Sequence, residues 1–531
     1  VETFTPEERK ALAPYFTNLD GPVFALVNLP EVVKGALFAR YSRSAKSLRR
    51  LFLDEFLEQV GAAPAAPSIG TRRADQLYER VLSEYGDDSV AQLGGVHLAC
   101  EGVSNLLTKV LEWGRLMAYL EQSTRYVPYT DRPGGRWKYH VPAELEGHPL
   151  RARYVETLDR AFETYARWLE PMRGFWGARL PRRESEPDSA WRMTVRAKAL
   201  DSLRGLLPAA TRSNVGISGT GQAYEALLLR MRAHPLREVQ DYAELMKVEL
   251  DKVIPAFLKR LDRPERGGVW ARYLAETRRD TERVARELLD GVEPEPRPLV
   301  TLTDWDPEGE VKVVAAALYA VSDLPDDQLL AIARKLSSEE RERVLRAYVG
   351  RRENRRHKPG RAFERTSYRF DVLGDYGAFR DLQRHRLLTI EWQPLSPRHG
   401  YAMPEEIAEA GAREDWARVM DESAALHDAL AAAGLAPVAP YAVAMAYRVR
   451  FYMELNAREA MHVIELRTAP QGHPAYRRIC QEIYRLIAEQ AGHRALAAAM
   501  AYVDLTGGET GRLAAERAAE QRRQLAGDAG G

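Results

Sequence analysis

Apolar positions recur at helical spacing through most of this chain, and strict alternation is confined to short runs. Val23–Val27, bounded by Gly21 and Asn28, reads as a strand, followed by helices over about Pro30–Tyr41 and Ser47–Val60. Small residues make Gly61–Gly70 a loop, helical spacing returns at Ala74–Glu84, and Tyr85–Ser89 is a turn by composition. Val90–Cys100 fits strand or helix. The apolar stripe over Gly102–Leu120 predicts one long helix, and Leu150–Pro171, Trp191–Leu207, Gln222–Arg232 and Asp241–Leu261 predict four more. The glycines at 216, 219 and 221 match no phosphate-loop spacing and read as a turn.

The pattern breaks at Gly291–Pro298, a run rich in proline and acid that marks a boundary between domains. Beyond it Leu299–Thr303 predicts a strand and Glu310–Val321 a helix, repeating the strand-then-helix opening of the first half. Ser367–Val372 alternates as a strand does. Pro404–Ala412, Asp415–Ala433, Tyr441–Arg467 and Ala475–Met500 predict helices. The shared order of events points to an internal duplication. The expected fold is α+β, two similar helix-rich domains in tandem over 1–290 and 299–531.

Composition narrows the function classes. The 531 residues carry a formal net charge of +1, so no global field draws the protein to nucleic acid or membrane, and an anion site must be local. The two cysteines, Cys100 and Cys480, lack metal-ligand spacing, which fits a reducing cytoplasm and excludes a disulfide scaffold or zinc site. No metal is expected. The first residues lack the regions of a signal peptide, and no apolar run would span a bilayer.

Arg380–Thr389 sets arginines at 380, 384 and 386 and His385 among leucines. Buried cations need anionic partners, and guanidinium pairs bidentately with phosphate. The alternative is a helix whose arginines are salt-bridged on a wet face. Downstream lie Ser396, Arg398 and Tyr401. Asn456, Arg458, His462 and Arg467 are polar points on an apolar segment; at about 100° per residue, Asn456 and Arg467 return to nearly one face. In the first half, Glu121, Gln122, Ser123, Arg125 and Tyr126 could bind one phosphate or form an ordinary polar loop.

Arg384-His385-Arg386-x-x-Thr389 resembles the Arg-His-Arg-x-x-Ser signature of flavin-dependent thymidylate synthases. Asn456-x-Arg458-x-x-x-His462-x-x-x-Leu466-Arg467 is similar to that family's flavin- and nucleotide-binding helix, and His357 lies where the family has a flavin-contacting histidine. The first half resembles the same family, with Ser123-x-Arg125-Tyr126 as nucleotide-phosphate loop after Glu121. Arg204-x-x-Leu207-Pro208 looks like its Arg-x-x-Leu-Pro, and Arg230 like its terminal arginine.

The two copies depart from the pattern in complementary ways. The first half has Trp113-Gly114-Arg115 for Arg-His-Arg and Ala118 for the serine; the second keeps that motif but has an altered loop through Pro394 to Arg398. The resemblance therefore implies one composite site. Flavin would be held by His357, Arg384, His385, Arg386, Asn456, Arg458 and His462. Nucleotide would be held by Glu121, Ser123, Arg125, Arg204, Arg230, Arg398 and Arg467, with Arg384 and Arg467 catalytic. It further implies reductive methylation of dUMP with FAD, NADPH and methylenetetrahydrofolate, in a homodimer that forms a pseudo-tetramer. The rivals are a catalytically retired flavin- or nucleotide-binding paralogue and an RNA-modifying flavin methyltransferase; the near-neutral charge counts against the latter.

Overall fold

The structure is a computed structural model that describes residues 3–21, 24, 26–41, 46–57, 92–180, 182 and 188–507. Its main elements up to the proline-rich boundary are α1 (Pro6–Leu12), α2 (Glu31–Tyr41), β1 (Gly95–Ser104), α3 (Asn105–Leu111), β2 (Met117–Glu121), α4 (Leu150–Arg179), α5 (Asp188–Leu203), β3 (Arg212–Thr220), α6 (Gly221–Arg232), α7 (Arg237–Asp251) and α8 (Val269–Leu288). Beyond it come β4 (Val300–Trp305), α9 (Gly309–Tyr319), α10 (Asp326–Lys335), α11 (Ser338–Val349), β5 (Ser367–Asp375), α12 (Tyr376–Gln383), β6 (Thr389–Trp392), α13 (Arg413–Ala432), β7 (Arg448–Asn456), α14 (Ala457–Arg467) and α15 (Pro474–Glu489). The class is α+β.

Two compact units divide the contacts. The first comprises Val1–Val103, Val110–Glu121 and Ser213–Val292; the second comprises Ser104–Lys109, Gln122–Arg212 and Glu293–Gly531. The first contains the three-stranded sheet β1-β3-β2, in which Met117 pairs Gly219 and Glu121 pairs Val215. The second is built on the antiparallel sheet β4-β5-β7-β6. β5 and β7 run in unbroken register from Ser367↔Asn456 to Asp375↔Arg448, and α12 and α14 leave from opposite ends of that pair.

Within the second unit the two halves of the sequence are joined by backbone. Ala209 and Ala210 donate to Val443 and Tyr441, and Met445 and Ala446 donate to Leu207 and Gly205. The stretch Arg204–Ala210 is thereby fixed against 441–446, where buried carbonyls and amides satisfy one another.

Two expected helices are otherwise. Gly102–Leu120 holds the end of β1, α3 and β2: Trp113-Gly114 ends the helical run, and Met117–Glu121 buries only its two ends, Met117 and Glu121. Tyr441–Arg467 is a 3₁₀ turn, β7 and α14. Val449, Phe451, Met453 and Leu455 are buried while the residues between them are not, a period of two rather than 3.6. Pro30–Tyr41, by contrast, is α2. The expected turn at Gly216–Gly221 is the second half of β3 running into α6. There Gly219 and Gly221 give room to Met117 and Phe257, which a Cβ would meet at 2.4 and 2.8 Å. The expected elements over 61–89, Val23 and Ala25 of the expected strand Val23–Val27, and the end of Ser47–Val60 lie outside the described residues; within that strand Leu26 forms an isolated antiparallel bridge with Phe16.

Candidate functional site

Everything in the cationic cluster belongs to the second unit. Asp375 ends β5 and caps α12, its Oδ1 accepting from the Ala378 amide at 2.9 Å. α12 is buried along its whole length, and its last turn presents Asp381. Arg384, one turn on, pairs with Asp381 Oδ1. Arg467, at the end of α14, reaches the same oxygen at 3.8 Å and donates to the Asp381 carbonyl. Arg204 Nη1 lies 3.5 Å from Oδ2. Burial alone would raise the Asp381 pKa, but the charges of Arg384, Arg204 and Arg467 outweigh it and hold the carboxylate ionised far below its usual range.

A second buried carboxylate holds the loop arginine. Arg125 grips Asp201 of α5 bidentately, Nε–Oδ1 2.7 Å and Nη2–Oδ2 2.8 Å, and donates to Tyr476 Oη at 3.1 Å and the Gln471 carbonyl at 3.3 Å. Asp201 is likewise ionised: burial opposes this, and the adjoining guanidinium prevails. Ser123 Oγ accepts from the Arg125 amide at 3.2 Å, so the hydroxyl shapes the loop.

Arg204 is the least satisfied cation. It is 4% exposed, its one ion pair is long, and its Nη2 has no hydrogen-bond partner among the described residues. Gly377 makes room for it; a Cβ there would stand 3.0 Å from Nε and 3.1 Å from Nη2. Burying such a group unpaired is costly, so the arrangement calls for an external acceptor.

A chain of imidazoles and a carboxylate runs away from Arg467. Its Nε donates to His385 Nε2 at 2.9 Å; His385 Nδ1 is 3.6 Å from Glu459, and Glu459 lies 3.2 Å from His462 Nδ1. The His385, Glu459 and His462 ligand atoms lie within 4.8 Å of one another, a spacing that could hold a metal ion. Arginine can only donate, however, so His385 Nε2 accepts and its proton sits on Nδ1, which then offers no lone pair to a metal. Burial drives the His385 pKa down to about 4, keeping the ring neutral. Glu459 is held ionised at about 2: burial opposes this, and the hydrogen bonds of the two histidines outweigh it.

The other expected site residues are spread more widely. Asn456 caps α14, its Oδ1 accepting from the Glu459 amide at 2.9 Å, so it does not share a helical face with Arg467. Arg458 donates to the Pro359 carbonyl at 2.9 Å and lies 3.4 Å from Glu364. His357 is exposed in the adjoining loop, with its ring against Asn354, and Arg386 is also exposed. Arg398 is exposed on the turn Pro397–His399 and is not brought into the Asp381 cluster. Glu121 and Arg230 belong to the first unit, Glu121 buried in β2 and Arg230 over the Trp113 ring at 4.5 Å.

A cavity of about 460 Å³ opens on the cluster, lined among others by Asp201, Arg204, Asp375, Gly377 and His473, with Trp416 and Met445 as apolar walls. Asp201, Asp381 and His473 escaped the sequence reading because carboxylates and lone histidines are common; only their convergence sets them apart. Four guanidinium groups (Arg125, Arg204, Arg384, Arg467) meet two ionised carboxylates (Asp201, Asp381), and the buried Asp375, whose pKa burial raises, is a third carboxyl group beside Arg204.

Comparison with known proteins agrees with the sequence motifs. The family described as thymidylate synthase complementing protein matches twice, over residues 36–256 and 300–492. A UPF0159 protein of Chlamydia muridarum is 37% identical over 520 residues, covering 97% of this chain and 98% of its own. One from Thermoplasma acidophilum is 30% identical over 515 residues, covering 91% and 97%. A flavin-dependent thymidylate synthase of Clostridium tetani is 23% identical over 205 residues, 38% of this chain and 75% of its own. The chain belongs to the thymidylate synthase complementing protein family, whose pattern it carries in two tandem copies.

Proposed function

We propose that this chain methylates dUMP reductively to dTMP, with FAD bound and with NADPH and methylenetetrahydrofolate as co-substrates. The observation that carries the reading is convergence on two buried carboxylates: Arg125 of the first copy pairs with Asp201, Arg204 of the first copy shares Asp381 with Arg384 and Arg467 of the second, and Asp201 and Arg204 line the cavity. Each copy lacks part of the family's motif, and the parts retained are complementary. A phosphate oxygen would satisfy the open Nη2 of Arg204. Family membership and the likeness to the Clostridium tetani protein support the chemistry.

The donors present suit FAD as well. The His385 and His462 rings are in contact, and Arg458, one turn before His462 on α14, donates to the carbonyl of Pro359, two residues after His357. Imidazoles and guanidinium groups of this kind would hold a diphosphate and the polar edge of an isoalloxazine, with Arg384, Arg386 and Asn456 beside them. FAD supplies hydride transfer to the incoming carbon. Arg204 and Arg467 would fix the nucleotide and draw electron density from the uracil ring, so that the ring reacts without an enzymic nucleophile. Thr389 and Ala118, at the family's serine positions, leave that chemistry untouched.

A flavin absorbance in the purified protein, with tritium release from 5-tritiated dUMP in the presence of methylenetetrahydrofolate and NADPH, is the expected result. Flavin bound without tritium release would instead favour a retired binder. One observation favours that second reading: the Arg125 guanidinium already has both Asp201 oxygens, Tyr476 and the Gln471 carbonyl as partners. On this reading the protein would act in the cytoplasm as a homodimer, a pseudo-tetramer of four family-type halves.

A further inference from the structure

His473 precedes α15 and caps it through a ring nitrogen: Nδ1 accepts from the Ala475 amide at 3.2 Å. That hydrogen bond decides the rest of the ring's chemistry. An amide can only donate, so Nδ1 carries the lone pair and the proton of the neutral ring is on Nε2. The ring lines the cavity, and Nε2 has no hydrogen-bond partner among the described residues. The neighbouring charges are Arg204, Asp201, Arg125 and Asp381, from the turn after α5, α5 itself, the loop after β2 and α12. Burial, reinforced by Arg204, holds the ring neutral well below the usual histidine range despite the two carboxylates.

The cavity therefore has two donors without a hydrogen-bond partner among the described residues: the buried Nη2 of Arg204 from the first sequence half, and Nε2 of the half-buried His473 from the second. One is permanently charged and the other stays neutral. We infer that His473 is a ligand-binding residue that donates its Nε2 proton to an oxygen of the nucleotide that also pairs with Arg204. The inference rests on the nucleotide reading above and adds a residue to it. The oxygen belongs to a phosphate or to a ring carbonyl; the two share this chemistry and differ in the probe that reports them.

His473→Ser tests it, because serine keeps a side-chain cap on α15 and removes the donor into the cavity. Binding of dUMP, deoxyuridine and inorganic phosphate is measured by calorimetry for the full-length wild type and the variant, with Tm as the check on folding. The expected result is an unchanged Tm within a few degrees and binding weakened about tenfold or more, the usual size for a lost hydrogen bond to a charged or strongly polar group. Weakening that also appears with phosphate alone assigns the phosphate oxygen; weakening with deoxyuridine assigns the ring carbonyl.

Wild-type affinity is expected to be flat between pH 8 and 6 apart from the phosphate's own titration, and the deoxyuridine arm removes that term. Affinity for deoxyuridine that rises as pH falls through about 6.5 would overturn the neutral-donor assignment. Equal affinity of wild type and His473→Ser for every probe that binds would overturn the contact itself. A wild type that binds phosphate but not dUMP overturns the proposed function and leaves the donor pair to be decided by the phosphate arm. Binding of none of the three overturns both.

Discussion

Arg125 and Asp201 are joined by two parallel hydrogen bonds, 2.7 and 2.8 Å, in the interior of the second unit. The pair determines what the loop arginine can do. A ligand phosphate that engages Arg125 must share it with, or displace, a carboxylate already in place, and removing that carboxylate strands a buried cation.

Asp201→Asn is therefore expected to destabilise the protein by about 3 kcal/mol, within the range for breaking a buried ion pair by removing one partner. Urea titration followed by circular dichroism measures it. Adding dUMP to the variant should recover more stability than adding it to wild type, because a phosphate then supplies the missing anion. Equal recovery in both would show that Arg125 does not meet the phosphate.

The His385 ring is neutral in the fold at a pKa of about 4, against about 6.5 in an unfolded chain. The unfolded state therefore takes up a proton first as pH falls. The stability that this group contributes is complete above about pH 6.5 and is lost progressively down to about pH 4, roughly 3 kcal/mol in all. The depressed carboxylates, Asp201 and Asp381, contribute stability present above the ordinary carboxylate pKa and lost only at lower pH. Tm should fall between pH 7 and 5, and His385→Gln should flatten that slope while leaving the fall below pH 4.

Gly377→Ala places a methyl 3.0 Å from Arg204 Nε and 3.1 Å from Asp375 Oδ1. Alanine favours the helix by up to about 1 kcal/mol, and the crowding opposes it, so overall stability should change by less than about 1 kcal/mol. The guanidinium must shift, and dUMP binding should weaken while Tm holds. Calorimetry with dUMP and a thermal melt read the two effects separately.

Arg352 and Glu465 form a buried bidentate pair, both contacts 2.6 Å, and Arg352 also donates to the carbonyls of His357 and Ala499. Glu465→Gln should cost about 3–5 kcal/mol. It should also weaken FAD binding if the loop carrying His357 holds the cofactor; flavin fluorescence on titration checks the second effect and urea denaturation the first.

Much of the secondary structure was readable because burial imposes a period. α4, α6, α13 and β5 stand close to where their apolar spacing put them. The misreadings share one cause. β7 alternates Val449, Phe451, Met453 and Leu455 with Arg448, Arg450, Tyr452 and Glu454, yet the apolar 3₁₀ segment before it and α14 after it mask the change of period. Trp113-Gly114 similarly separates two elements inside a run that is apolar throughout.

The sequence by itself determined the family, the duplication and the motif residues Arg125, Arg204, Arg384, His385 and Arg467, since those rest on residue identity at fixed spacing. Only the tertiary structure decided their partners. Asp201, Asp381 and His473 are ordinary residues until the pairing of Arg204–Ala210 with 441–446 brings the two sequence halves together. There, a buried charge must find a counter-charge or leave an opening. That requirement made Asp381 the common partner of Arg204, Arg384 and Arg467, and left Arg204 Nη2 without a hydrogen-bond partner among the described residues.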